Sequence, residues 1–326
     1  MAHTGVADAE WDFSLQRMGG HFLQSTLWQR VQTALGHDVI WARGEHWMWA
    51  GAIRAGHFPR YVYLPHGPTA TSDDALTDAL ANAVDAARER SLDFVRAEPQ
   101  GAFAPSALAA SGAYPSRSIQ PRWTWILDLT PDEAALRRGL SSGHRGAINA
   151  ASRRGLTIRA SEDPDDVEVF LALQERTAAA GRFRGQEQSY HRAVARTLMP
   201  EHAAVLYVAE ASGVPVAAAL CFDFSRTRYY AHAVSDPESG RKLQAAAPLV
   251  WRMILDAREN GALRFDFWGI SPGGDSASGT TPHPWDGFSQ FKRAFGGAAV
   301  ERAGTWDLGV RSLRHSLYRA AVRLRR

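Results

Sequence analysis

The chain has 326 residues, 45% hydrophobic and 22% charged, which is the mix of a folded globular protein of about two domains. A single cysteine, Cys221, excludes an internal disulfide framework and a cysteine-based zinc site, and the opening stretch MAHTGVADAEWDF lacks the apolar run of a signal peptide, so a cytoplasmic protein is expected. The formal charge of +3 is uneven: the last 16 residues hold six arginines and no acid, which leaves residues 1–310 at −3, so any polyanion has to be met by local patches.

Ser25 is placed to cap a helix through TLWQRVQTALG, where Leu27, Val31 and Leu35 recur at helical spacing before Gly36 stops it. VIWA, WMWAGAIR and YVYLP read as strands, ended by the turn Pro65-His66-Gly67-Pro68. A helix over 73–90, the strand LDFVRAEP, a helical stretch at 106–110 and the strand WTWILDL complete a first α/β unit of about 130 residues. The second unit has the same grammar. Helices over 132–139 and 145–154 lead to the strand LTIRA, then come helices over 165–180 and 190–198. The strands AVLYVAE, PVAAALCFDF and RYYAHAV, a helix over 243–260 and the strand RFDFW follow. The Gly/Ser/Thr/Pro-rich segment between Ser271 and Gly287 reads as a loop. The tail RSLRHSLYRAAVRLRR reads as a helix with Leu313, Leu317, Ala320 and Leu324 on one face and arginines around the rest. Such a helix suits docking on the protein, or attachment to an anionic surface such as lipid headgroups or tRNA.

No G-x-x-x-x-G-K-[ST], H-E-x-x-H or C-x-x-C occurs, and the histidines have no metal-ligand spacing, so neither a metal nor a bound cofactor is expected. Cys221 lies in an apolar strand and reads as packing. The chain has only two lysines, Lys242 and Lys292. Lys292 lies in FSQFKRAFGG, where Phe291 and Phe295 stand one helical turn apart as core residues and the lysine points to another face. A cation among apolar groups beside a loop suits stabilisation of developing negative charge; its structural alternative is a lysine that snorkels. The strand end FDFWGISP adds Asp266 and Trp268, and FVRAEP adds Glu98. A carboxylate at such a strand end serves as a general base or as a structural hydrogen-bond acceptor.

The segments FLQSTLWQRV, YLPHGPTA, FVRAEP, IQPRWTWILDL, HRGAINAASRRGLTIR, RYYAHAVSD, WRMILDARENGALRFDFWGISP and GFSQFKRAFGG, in this order, cover nearly the whole chain. Together they resemble the FemABX peptidyltransferases, which use aminoacyl-tRNA to extend peptidoglycan side peptides; FDFWGI followed by GFSQFKRAFGG is the most specific part. The resemblance implies an α/β (α+β) fold of two tandem GNAT-like domains, with mixed sheets flanked by helices. Residues 1–130, completed by 304–326, form the first domain and 131–303 the second, with the C-terminal helix docking on the first and no coiled-coil arm. It also implies that Lys292 stabilises the transition state or positions the tRNA acceptor end, that Phe291 is its aromatic neighbour and that Glu98 is the family's acidic residue before proline. Tyr230 falls on the strand lining the precursor site, with His232 and Ala233 in place of the usual tyrosine and glycine, and Trp268 is a further substrate-binding candidate. Gln32 stands where the family has a phosphate-binding lysine, with Arg30 as a nearby substitute. Arg182 and Arg184, ahead of Tyr190, correspond to a second phosphate-contact region. Arg145, Arg153, Arg154, Arg293 and the C-terminal arginines are the candidates for tRNA phosphates. The implied partners are aminoacyl-tRNA as co-substrate and a peptidoglycan precursor or related peptide acceptor; a monomer is expected, and the basic tail suggests peripheral contact of the C-terminal helix with the inner face of an anionic membrane.

An aminoacyl ester is already activated, so an acceptor amine attacks it without ATP or a covalent enzyme intermediate. The protein has to supply alignment, a cation for the oxyanion and a route for the amine proton. Gln32, His232 and Ala233 keep a soluble peptide intermediate of antibiotic biosynthesis open as the acceptor. An acyl-CoA N-acetyltransferase is a second alternative, against which SDPESGRKLQAAAPLV offers a single glycine, Gly240, where a pyrophosphate turn needs two. A catalytically silent tRNA- or membrane-binding module of the same fold is the third.

Overall fold

Four helix starts in this protein are fixed by side-chain caps that satisfy the first free N–H groups. Ser25 accepts from Trp28 N–H at 3.2 Å, Ser72 from Ala75 at 3.1 Å, Asp132 from Ala135 at 2.7 Å and Ser141 from His144 at 3.2 Å. The structure is a computed structural model that describes residues 1–324 apart from 57, 102, 104, 180–184 and 272–282. The chain divides into two units, residues 1–122 with 301–326, and residues 123–300.

The first unit holds strands β1 (His3–Thr4), β2 (Val39–Arg43), β3 (Trp47–Ala55), β4 (Arg60–Leu64), β5 (Thr69–Ala70), β6 (Phe94–Ala97) and β7 (Ala113–Pro115). Its helices are α1 (Trp11–Arg17), α2 (Thr26–Ala34), α3 (Asp73–Glu89) and α4 (Pro105–Ala110). The sheet runs β1-β2-β3-β4-β6, then a strand from the far end of the chain, then β7, with β5 paired to β3. Helix α3 lays Leu76, Ala79, Leu80, Ala83 and Ala87 on the sheet, a stripe at helical spacing that meets Trp49, Val62 and Val95 in one core. Each large apolar side chain fully removed from water there contributes about 1.5–3 kcal/mol.

The second unit holds β8 (Trp123–Asp128), β9 (Leu156–Ser161), β10 (Ala204–Ala211), β11 (Val214–Phe224), β12 (Thr227–Ser235), β13 (Arg264–Gly269) and β14 (Ala298–Glu301) in the order β14-β8-β13-β12-β11-β10-β9. Its helices are α5 (Glu133–Gly139), α6 (Ser142–Ala150), α7 (Val167–Ala179), α8 (Gln188–Leu198), α9 (Ser239–Leu243), α10 (Ala246–Glu259) and α11 (Asp286–Arg293). Strand β15 (Trp306–Gly309) then enters the first sheet between β6 and β7, and α12 (Ser312–Leu324) follows it. Both sheets are mixed and flanked by helices, with the C-terminal segment completing the first.

Four details differ from the sequence reading. WTWILDL, read as the last strand of the first unit, pairs with β13 and belongs to the second sheet. The helix read over 243–260 is broken at Gln244, which takes a positive φ of 52° between α9 and α10. Strand β15 was read as part of no element, because four residues, WDLG, show too short an alternation to announce a strand. Finally, α12 docks with the face opposite to its leucines: His315 is buried while Leu313 and Leu317 are exposed.

Candidate active site

The second sheet opens where β12 and β13 part. They pair in parallel over Thr227, Arg228 and Tyr229 with Arg264, Phe265 and Asp266. Beyond that, β12 stays with β11 as far as Ser235, and β13 stays with β8 as far as Gly269. Each strand carries an irregularity at this point. Tyr230 pairs with Cys221 and His232 with Leu220, which leaves Ala231 as an extra residue. On β13 the register slips between Asp266 and Gly269, and Trp268 takes a φ of 62°. Bulges re-aim side chains, and a bulky residue in the left-handed region is held there by its surroundings. Asp266 does that holding: one carboxylate oxygen accepts from Trp268 N–H at 2.7 Å and from the Thr124 hydroxyl.

Lys292 reaches this opening from α11. Its ammonium donates to Gly269 O at 2.5 Å and lies 4.9 Å from the centre of the Phe288 ring. It does not point away from the core as the sequence reading has it: Ser289, Lys292 and Phe295 form the buried face of the segment, while Phe291 is half-buried. Burial lowers the lysine to about 8, with the Asp266 charge pulling the other way. Ser289 pins the exit of β13 to the same helix, accepting from Ser271 N–H at 2.8 Å and donating to Trp285 O at 2.6 Å. The glycine pair of FSQFKRAFGG explains itself: Gly297 sits at φ 104° with Ile126 O 2.4 Å from where a Cβ would be, and Gly296 O accepts from the Trp125 indole at 2.7 Å. The motif thus turns α11 directly into β14 against β8.

On β12, Tyr230 packs against Phe267 at 6.2 Å and burial holds its phenol protonated. His232 meets the Tyr190 hydroxyl at 3.1 Å and the His191 ring at 4.9 Å. Burial, with a smaller contribution from His191, brings His232 down to about 3, and burial brings His191 to about 4. Both imidazoles are therefore neutral at pH 7, and His191 Nδ1 is buried without a hydrogen-bond partner. The sequence reading singled out Tyr190, Tyr230 and His232; the structure adds His191 to the same cluster. Arg182 and Arg184 lie outside the described residues.

Four of the arginines named for nucleic acid, Arg145, Arg153, Arg154 and Arg293, lie in the second unit, and the C-terminal ones in the first. Arg293 stacks over Trp125 at 5.8 Å and lines an open surface groove with Ser141, His144 and Phe291. Arg145 donates to Arg138 O at 3.3 Å and to Leu140 O, and lines a second groove with Arg137 and Arg138, two cations the sequence reading passed over. Arg153 is exposed, and Arg154 ties Leu243 O and Gln244 at the break between α9 and α10.

In the first unit, Glu98 is buried at the end of β6 and its carboxylate is fully engaged. Oε2 accepts from the Tyr63 hydroxyl at 2.6 Å, and Oε1 accepts from Thr305 Oγ1 at 2.6 Å and from Gln120 N–H at 2.9 Å. That geometry is of a structural acceptor. Gln32 is buried, and its amide oxygen accepts from Arg54 at 3.0 Å, while Arg54 also touches His37. The cation beside Gln32 is therefore Arg54, contributed by β3, rather than the exposed Arg30 on the same helix as Gln32. Nothing in the local sequence of Gln32 announces it, since the two residues meet only through the pairing of α2 with β3.

A family model described as an acetyltransferase (GNAT) domain matches residues 139–293. No curated protein sequence matches the chain. Among solved structures, FemX superposes with a TM-score of 0.82 at 18% identity, covering 97% of this chain and 99% of that one. L-PGS from Bacillus licheniformis gives 0.61 at 15% identity over 99% and 98% of the two chains. A tandem GNAT protein from the clavulanic acid biosynthesis pathway gives 0.56 at 14% identity over 95% and 99%. The chain is FemX-like in fold, and residues 139–293 match the GNAT-domain model.

Proposed function

We propose that the chain is an aminoacyltransferase that moves an amino acid from aminoacyl-tRNA to an amine of a peptidoglycan precursor side peptide. The single observation that carries this reading is Lys292, one of two lysines in the chain, buried with its ammonium at the carbonyl end of β13 beside the parting of β12 and β13. The acceptor amine adds to the ester carbonyl, forming the C–N bond. The carbonyl oxygen becomes an oxyanion, which the Lys292 cation stabilises. Collapse breaks the C–O bond to the tRNA ribose, and the amine proton ends on the departing ribose oxygen. A preorganised cation in a water-poor site acts on the charge only as it develops. The engaged carboxylate of Glu98 supports no base role, so the proton route runs through the substrates or through Lys292, whose shift toward neutrality suits it for a transient proton transfer.

The same region weighs against acyl-CoA. In a GNAT domain the turn after the parted strand holds pyrophosphate on its backbone amides. Here the Asp236 carboxylate occupies that role internally, accepting from Glu238 N–H at 3.2 Å, Ser239 N–H at 2.9 Å and Ser239 Oγ at 2.7 Å. The amides at the start of α9 are thus already satisfied by a carboxylate, which weighs against a diphosphate docking on them.

The test is transfer of radiolabelled amino acids from a mixed, pre-charged tRNA pool to UDP-linked muramyl pentapeptide, lipid II and a free peptide, each offered separately with RNase-treated controls. RNase-sensitive labelling of a muramyl acceptor is the expected result. Labelling of the free peptide alone moves the protein to antibiotic assembly, and turnover with acetyl-CoA without RNase-sensitive transfer overturns the reading.

A further inference from the structure

Helix α12 turns an apolar stripe to solvent. Its other side is anchored on the first unit: Arg314 donates to Asp93 Oδ1 at 2.5 Å, His315 is buried, and the Tyr318 ring stacks on Phe94 at 5.2 Å. Leu313 and Leu317, one turn apart on the outward side, are 74% and 58% exposed, and Ala320 and Ala321 extend the exposed row. Two exposed aromatic residues border the helix through its arginines: Arg314 lies 5.1 Å over Phe58 and Arg319 lies 4.4 Å over Tyr114. From residue 308 to the end the chain carries six arginines and no acid.

Exposed leucines bordered by aromatic residues and arginines match the interface of a bilayer, where apolar side chains enter the acyl boundary and guanidinium groups meet phosphates. An RNA would meet the arginines but leave the leucines in water. A second copy would cover the leucines but bring two acid-free arginine helices together. We propose that α12 is an interfacial helix that lays Leu313 and Leu317 into the surface of a bilayer containing anionic phospholipid. The attachment is separate from the transfer chemistry and holds whichever acceptor is used. Among the described residues no helix is long and apolar enough to cross a membrane, so this contact is one of lying on the surface.

The experiment is co-sedimentation of the full chain with phosphatidylcholine vesicles with and without about 30% phosphatidylglycerol. Binding to the anionic vesicles is expected, with little to the neutral ones. Binding should weaken in high salt and fall at least about tenfold in L313S/L317S, which removes only exposed side chains and should leave the thermal midpoint in place. Equal binding of wild type and variant, equal binding to both vesicles, or no binding at all overturns the proposal. So does light scattering that finds a dimer broken by the same substitutions, which assigns the stripe to a second copy.

Discussion

The ammonium of Lys292 donates to the main-chain carbonyl of Gly269 at the point where β13 leaves β12. Either protonation state can donate this bond, but only the ammonium presents a positive charge, and burial brings the group to about 8. If that charge stabilises the oxyanion, transfer is full below this value and is lost as pH rises through it. Lys292→Ala is expected to lower kcat by about 10²–10³-fold, the usual effect of removing one oxyanion donor. A pH–rate profile checks both points. An alkaline limb that persists in Lys292→Ala, or a variant with wild-type kcat, overturns the assignment.

Glu98 makes the opposite prediction. Its two oxygens already accept three hydrogen bonds, so Glu98→Gln keeps the shape, retains one acceptor oxygen and turns the other position into a donor facing donors. We expect kcat within about threefold of wild type and a stability loss of about 1–3 kcal/mol, the cost of leaving buried groups unmatched. Kinetics beside thermal melting separate the two effects. A loss of about 10³-fold in kcat with an unchanged melting midpoint would return Glu98 to the role of base.

The sequence made most elements legible where a cap or a strong period marked them, as with Ser25 before α2 or the alanine and leucine stripe of α3. What escaped depends on partners distant in sequence. Trp123–Asp128 reads as a strand, but its sheet is set by its pairing with β13, some 140 residues on. Lys292 was legible as unusual through composition, yet its burial follows from Gly269 lying beneath it. The docked face of α12 was misread because leucine spacing marks an apolar stripe without saying what covers it, and here Arg314 and Tyr318 find Asp93 and Phe94 instead. Arg54 beside Gln32 left no local trace at all.

The buried pair of Arg96 and Asp307 ties β15, and with it the C-terminal segment, to β6. The guanidinium donates to both carboxylate oxygens at 2.7 Å, and Ser116 adds a third bond at 2.9 Å. Burial alone would raise Asp307, but the hydrogen bond and charge of Arg96 outweigh it and hold the carboxyl below its ordinary range. Asp307→Ala strands a buried cation and is expected to cost about 3–5 kcal/mol. Denaturant unfolding of the first unit, read by a local probe, measures it; a loss below about 1 kcal/mol would mean that water reaches the arginine.

His191 and His232 make the fold acid-sensitive. Both are held well below 6.5 in the folded protein, so they are neutral there while the unfolded chain binds protons to them. Their contribution is fully present above about 6.5 and is lost progressively as pH falls toward about 4 and then 3. The thermal midpoint should therefore drop between pH 6.5 and 5, and His232→Phe should flatten that slope. Parallel curves for wild type and variant would show that other groups carry the acid sensitivity.

Arg54 is the cation that the acceptor reading needs. The resemblance to FemABX proteins implies a phosphate-binding cation at the position of Gln32, and the Gln32 amide oxygen orients the Arg54 guanidinium there at 3.0 Å. A charge-assisted bond to phosphate contributes about 1.5–3 kcal/mol, or roughly 10–150-fold in affinity. Arg54→Ala should therefore raise KM for a UDP-linked muramyl peptide by about that factor, with kcat almost unchanged, because the phosphate is remote from the bond that forms. With a free peptide lacking phosphate, the same substitution should leave KM where it was. Gln32→Ala, which only frees the guanidinium to move, should give a smaller rise in the same direction. Equal effects on both acceptors would show that Arg54 holds the fold of the first unit rather than the substrate, and no effect on either would remove the diphosphate from this part of the molecule.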